Sequence, residues 1–287
     1  MKVRWLVAVI LVAARMQEAA SAGLEPAGEI VLAQRFTIHS DILDEDRSLL
    51  IQFPETYTAD ANKGRRYPVI YLLDGPAYFE ATCGIVHHLS APNAAVQRIP
   101  EHIVVAVVNT KRTRDMTPSH VTSGLYSQNS GGAASFRAFF EKELIPQVDF
   151  QFRTAKSRIL VGHSLAGLFT LDTFVEQPSL FDAYIASDPS LWWDNKLLAR
   201  KLAGPKRTQP DSRVKVFIAE ANSPTASPDD LYAAHRGGIA GFRAALGKST
   251  GPTHANYEYY EKEDHLSVPL VGIYAGLIAV YDDYKKP

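Results

Sequence analysis

The chain has 287 residues, 46% of them hydrophobic, and its 30 Lys and Arg nearly balance 31 Asp and Glu. That balance excludes the basic footprint that nucleic acid or anionic lipid requires, and one cysteine, Cys83, excludes an internal disulfide. The apolar content suffices for one large core, and α/β folds commonly reach this size around a single one.

Lys2 and Arg4 precede an apolar run over residues 5–14, and Ala20, Ser21 and Ala22 follow as small residues. This is the charged, apolar and cleavage-site pattern of a secretory signal. A membrane anchor needs about 20 apolar residues, and Arg15 and Glu18 cut this run short. The expectation is a signal peptide over residues 1–22 and a single domain over 23–287, secreted or periplasmic, with no membrane association once mature.

Residues 30–37 and 48–53 have strand-like density of branched and aromatic side chains, separated by a polar stretch at 40–47, which predicts a hairpin. Residues 67–73 and 102–108 are near-continuous apolar runs, as in strands covered on both faces. Phe136, Phe139, Phe140, Leu144 and Ile145 fall at helical spacing within 135–148. Strand and helix then alternate: 158–161 with 165–174, 181–186 with 194–202, 214–219 with 229–246, and last 255–261 with 268–281. Alternation demands crossovers and hence parallel pairing. Residues 109–132 and 223–228 are the candidate flexible stretches.

Between the predicted strand 158–161 and the helix at Leu165 lies Gly162-His163-Ser164-Leu165-Ala166-Gly167. A nucleophile elbow needs this context, because a sharp strand-to-helix turn lifts a serine hydroxyl above the sheet and small flanking residues permit the turn. Ala166 stands where glycine is usual. The fold expected is therefore α/β of the α/β-hydrolase type: a largely parallel central sheet, an antiparallel N-terminal hairpin and helices on both faces.

A serine hydroxyl needs an imidazole to take its proton. His265 is placed for this, on the loop between the last predicted strand and helix. His254 begins that strand, His163 belongs to the elbow, and His87-His88 are neighbours without zinc-ligand spacing. The third group is open on the sequence. Glu220, at the end of 214–219, is a candidate acid, as are Asp229 and Asp230, which also suit helix N-caps. Another candidate region is Ser187-Asp188-Pro189-Ser190-Leu191-Trp192-Trp193, whose adjacent tryptophans are costly to expose and should wall the pocket.

The chain resembles an esterase family that includes enterobactin-type siderophore esterases, feruloyl esterases and, more remotely, the antigen 85 mycolyltransferases. The resemblance runs from about Phe36 onward. It rests on Tyr71-Leu72-Leu73-Asp74-Gly75, the segment 109–118, the elbow, the Ser-Leu-Trp-Trp loop at 190–193 and Asp264-His265-Leu266-Ser267-Val268-Pro269. It implies Ser164 and His265 as the catalytic pair. Several siderophore esterases of this group lack a conventional acid, which carries over as an orienting role for Trp192 beside the imidazole.

An oxyanion hole needs two backbone donors. One is expected from Leu165 N–H. The other falls to Gly75 or Ala77, since Pro76 has no N–H. Arg112 and Arg114, with Lys111, follow the strand 102–108 on the side where open α/β sheets bind ligands, and suit a carboxylate or an anionic metal–catecholate. Pairing of Arg114 with Asp115 is the alternative. Tyr78, Phe79 and Trp193 are candidates to line the same mouth. No metal-ligand cluster or phosphate-cradling loop is legible, so no metal or cofactor is expected.

The expected reaction is hydrolysis of a small-molecule ester through an acyl-enzyme, with siderophore esters first by resemblance and feruloyl or acetyl esters next. An acyltransferase would share the same groups, and a catalytically dead binding protein would share the fold.

Overall fold

Strands β1 (Gln34–Ser40), β2 (Glu45–Gln52), β3 (Tyr67–Leu72), β4 (Ile103–Val107), β5 (Thr154–His163), β6 (Ala183–Ser187), β7 (Lys215–Ala221) and β8 (His254–Tyr260) pair into one sheet. Their order is β1-β2-β4-β3-β5-β6-β7-β8. The β1–β2 and β2–β4 pairs are antiparallel, and every pair from β3–β4 to β7–β8 is parallel. The computed structural model describes residue 28 and residues 30–91, 97–124, 126–204, 213–222, 229–248 and 254–284. Met1–Leu32 and Ala33–Pro287 form separate units. The expected signal, residues 1–22, and the expected loop 223–228 lie outside the described residues. Among the described residues no helix is long and apolar enough to cross a membrane.

The apolar runs become central strands for the reason their composition gives: β3, β4 and β6 are covered on both faces. One face packs Ile70, Leu72, Val104, Val161, Ile185 and Phe217 against helices α1 (Gly75–Ser90) and α8 (Val268–Val280). The other packs Tyr71, Val105, Leu160, Tyr184 and Ile218 against a phenylalanine-rich layer. This layer includes Phe136 and Phe139 from α3 (Ala133–Phe139), Phe140, and Phe169 and Phe174 from α5 (Leu165–Glu176). α8 approaches β6 so closely that a Cβ on Gly272 would sit 2.5 Å from Ser187 Oγ. That contact sets the helix following His265 over the end of β6.

Four elements differ from the sequence expectation. The hairpin turn is shorter than the polar stretch 40–47, because Arg47 is a fully buried strand residue. Its guanidinium pairs with Asp115 at 2.6 Å and Glu45 at 2.5 Å and lies over the Phe136 ring. The predicted helix at 135–148 is real but interrupted. A π segment, Phe140–Leu144, joins α3 to α4 (Ile145–Gln151), next to Pro146, which has no N–H for a regular helical bond. Helix α1 was not expected, and Pro76 in its first turn is the start signal that marks it. The start of the stretch 109–132 is well tied: it contains α2 (Arg112–Met116), and Arg112 and Arg114 each hold carboxylates.

Candidate active site

β5 ends at His163 and α5 begins at Leu165, leaving Ser164 alone in the turn at φ 58°, ψ −119°. A non-glycine residue there is strained, and the surroundings must hold it. Ser164 N–H donates to Ser187 O at 3.0 Å, while Ser164 O accepts from Leu168 N–H at 2.9 Å and Ser190 N–H at 3.0 Å. Gly162 is required because a Cβ there would lie 2.4 Å from Ala166 O. Ala166, fully buried, fills the usual glycine position without displacing the helix.

His265 sits between β8 and α8. Its loop is fixed by Asp264, whose Oδ1 accepts from Leu266 N–H at 2.8 Å and Ser267 N–H at 2.9 Å, and those donors hold the Asp264 carboxyl below its ordinary pKa. His265 Nε2 lies 3.0 Å from Ser164 Oγ. On its other side, His265 Nδ1 lies 2.5 Å from Asp188 Oδ2. A carboxylate accepts only, so Nδ1 carries the proton and Nε2 is left as the acceptor for the serine hydroxyl.

Asp188 follows β6 immediately, at φ 40° and fully buried. Its N–H donates to Ala219 O at 2.7 Å, and its Oδ1 accepts from Ala221 N–H at 3.1 Å. Burial alone would push this carboxyl upward. The imidazoles of His235 and His265 and the Ala221 N–H outweigh burial and hold it well below the ordinary range.

The third group therefore differs from both specific expectations. Glu220 is spent elsewhere: Tyr257 Oη donates to it at 2.5 Å and Arg236 Nε lies 3.6 Å away. Trp192 packs with its ring tilted against Tyr126 and Trp193, at centroid distances of 6.0 and 5.8 Å, and Nδ1 of His265 is already occupied by Asp188. The side chains of Asp229 and Asp230 lie outside the described residues. Asp188 lay within the candidate loop 187–193 and had one readable signal. The strand after the elbow helix is the next neighbour in the sheet, so its C-terminal end must arrive beside the nucleophile.

The cleft above Ser164 measures about 390 Å³ and is lined by Ser164, His265, Leu266, Tyr78, Asp74 and Arg112 among others. Arg112 grips buried Asp74 with two parallel hydrogen bonds of 2.7 Å, and Asn109 Nδ2 donates to the same carboxylate at 2.6 Å. Burial opposes the Arg112 charge, but Asp74 outweighs it and raises the pKa. Arg112 thus faces the cleft as a rigid cation. Arg114 does not: it bonds Glu45 and Asp115, the alternative weighed from sequence. Trp193 does not line this cleft either, because it is buried with its indole N–H donated to Ser119 Oγ at 3.1 Å. Tyr78 lines the cleft and bonds His163 Nδ1 at 2.9 Å. Burial, reinforced by neighbouring His265, lowers the His163 pKa to about 4. His163, ring to ring with His265 at 4.4 Å, is therefore neutral near pH 7.

Ala77 donates its N–H to Asp74 O at 2.9 Å, which leaves the Gly75 N–H as the candidate for the second donor. Gly75 and Leu165 open helices α1 and α5, where N–H groups have no intrahelical acceptor. One feature was unexpected: Asp188, His235 and His265 offer metal-ligand atoms within 4.8 Å of one another. The 2.5 Å contact of His265 Nδ1 with the carboxylate is a hydrogen bond, and His235 Nε2 lies 3.0 Å from the other carboxylate oxygen.

A serine on a strained strand-to-helix turn, an imidazole from the last loop and a carboxylate from an adjacent strand define an α/β-hydrolase with a serine-hydrolase site. Residues 40–254 match the family described as "Putative esterase", and the chain belongs to that family. It is 27% identical to the siderophore triacetylfusarinine C esterase of Aspergillus fumigatus, over 76% of this chain and 82% of that one. It is 32% identical to the ferri-bacillibactin esterase BesA of Bacillus subtilis over 47% of this chain, spanning 52% of BesA's length. An IroE-like serine hydrolase of Shewanella oneidensis superposes with a TM-score of 0.79 at 32% identity, covering 89% of this chain and 82% of that one.

Proposed function

We propose that this chain is an exported serine carboxylic-ester hydrolase that cleaves a siderophore ester through an acyl-enzyme. The observation that carries the chemistry is the 3.0 Å contact between His265 Nε2 and Ser164 Oγ, with Nδ1 of the same ring on buried Asp188. In the first step Ser164 Oγ attacks the ester carbonyl carbon as its proton passes to Nε2. Asp188 stabilises the imidazolium, and the N–H groups of Leu165 and Gly75 receive the oxyanion. Collapse breaks the ester C–O bond, and the leaving alkoxide takes the proton from Nε2. Water then gives a proton to Nε2 and attacks the acyl carbon; collapse breaks the acyl C–Oγ bond, Oγ takes the proton back from Nε2, and the carboxylic acid leaves with Ser164 regenerated.

The siderophore assignment is supported by the relatives' substrates and by Arg112. A ferric catecholate is anionic, and a guanidinium clamped by Asp74 offers it a cation without side-chain ordering on binding. Export is supported by the pattern in residues 1–22.

The test combines labelling and product analysis. A fluorophosphonate probe should modify the wild type and not Ser164→Ala. Wild type should open a ferric tri-catecholate lactone faster than simple p-nitrophenyl esters. Mass spectrometry with added alcohol should find the free acid as product, whereas a transferred ester would make the enzyme an acyltransferase. Labelling without hydrolysis of the lactone would remove the siderophore assignment and keep the esterase. A mature N-terminus at Gly23 in the exported fraction would establish processing.

A further inference from the structure

A second imidazole reaches the same carboxylate. His235, on α7 (Asp229–Lys248), places Nε2 3.0 Å from Asp188 Oδ1, the oxygen that does not meet His265. The side chain is 12% exposed, and the N–H is not aimed straight along the line to the oxygen, so the contact is electrostatic rather than a linear hydrogen bond. The His235 and His265 rings stand edge to face, 5.8 Å apart at 89°. The reaction described above makes no use of this residue.

Its position is imposed by packing. One turn along, Gly238 meets the chain that follows Asp188: a Cβ there would lie 2.5 Å from Leu191 C and 2.6 Å from Trp192 N. α7 is thus pressed against the 187–193 loop, and position 235 is held over the carboxylate.

The two oxygens of Asp188 carry different tasks. Oδ2 must stay on His265 Nδ1 to fix the tautomer, and any rotation of the carboxylate plane lengthens that contact. Oδ1 is held by Ala221 N–H at 3.1 Å from one side and His235 from another. We propose that His235 is a positioning residue for ester hydrolysis, which pins the far oxygen of Asp188 so that the near oxygen stays on the catalytic imidazole. It is absent from the residues lining the cleft, so it acts through Asp188 rather than on substrate. The inference rests on the reading of Ser164 and His265 as the reacting pair.

The test uses the full-length protein and p-nitrophenyl butyrate. His235→Ala should lower kcat about tenfold, the scale of one interaction with a charged partner, with KM within about twofold. Removing a donor from the carboxylate concentrates its charge toward His265, so the acid limb of kcat/KM should move to higher pH. His235→Gln, whose amide N–H can reach the same oxygen, should recover most of the loss. In an Asp188→Asn background, His235→Ala should cost less than about twofold more, because the shared route is already broken. An equal fold-loss in both backgrounds, or an unshifted acid limb, overturns the proposal. So does a loss that Ala and Gln share along with lowered melting temperatures. If His235→Ala does not fold, His235→Asn, too short to reach Oδ1, replaces it. A wild type that fluorophosphonate fails to label at Ser164 overturns the esterase reading and this inference together. A labelled wild type with unaffected His235 variants overturns only the inference.

Discussion

Asp188→Asn isolates the tautomer argument in a single atom. The Asn side chain can sit in two orientations. With its NH2 at the Oδ1 position it would face the Ala221 N–H, donor against donor, where the carboxylate now accepts at 3.1 Å. The opposite orientation keeps that bond and turns the NH2 toward His265 Nδ1, now 2.5 Å from Oδ2. Nδ1 must then accept, the ring proton moves to Nε2, and Nε2 points a hydrogen at Ser164 Oγ instead of a lone pair. A wrong tautomer in such a triad costs on the order of 10⁴ in turnover, about 5 kcal/mol at ~1.4 kcal/mol per decade. Steady-state hydrolysis of p-nitrophenyl butyrate should show that loss in kcat with KM nearly constant, and fluorophosphonate labelling should slow in parallel. Glu220→Gln is the control and should stay within about threefold, since Glu220 serves Tyr257 and Arg236. If Asp188→Asn keeps more than a tenth of wild-type turnover, or Glu220→Gln collapses it, the assignment of the acid is wrong.

Arg112→Lys cannot reproduce the two-bond grip on Asp74, so KM for an anionic ferric siderophore should rise roughly three- to tenfold, while neutral p-nitrophenyl acetate should be little affected in the same assay. Gly162→Ala drives a methyl to 2.4 Å from a backbone carbonyl, and denaturant titration should report a loss of about 3 kcal/mol along with lost activity. Burial lowers the His102 pKa to about 4 from 6.5, so the ring is neutral in the fold while the unfolded chain protonates. Its contribution is intact above pH 6.5 and lost on acidification, by about 3 kcal/mol between pH 6.5 and 4. Urea titrations across that window should flatten in His102→Gln.

The sheet was readable because β3, β4 and β6 are buried on both faces and their composition says so. The hairpin boundary was not, since Arg47 looks like turn material and is a buried cation whose partner Asp115 lies 68 positions away. Ser164 and His265 were legible from chain order: one sits where strand becomes helix, the other follows the last strand. Asp188 was legible only as a member of its loop, because the expectation was for the acid to follow β7, not β6. Arg114 and Trp193 were misplaced for a common reason. Residue type suggests substrate contact, but Glu45, Asp115 and Ser119, each remote or local partners, were already available to absorb them.

The backbone ties at the elbow divide the machinery into unequal parts. Ser164 and Asp188 are stitched to β6 and β7 through Ser187 O and Ala219 O, so their spacing survives as long as those central strands do. His265 rides on a short surface bend beyond edge strand β8, its side chain 30% exposed. On warming, such bends open before central strands, so loss of esterase activity should precede loss of the sheet, and cooling should restore it without refolding. The final loop, rather than the core, is then expected to set the temperature at which activity is lost.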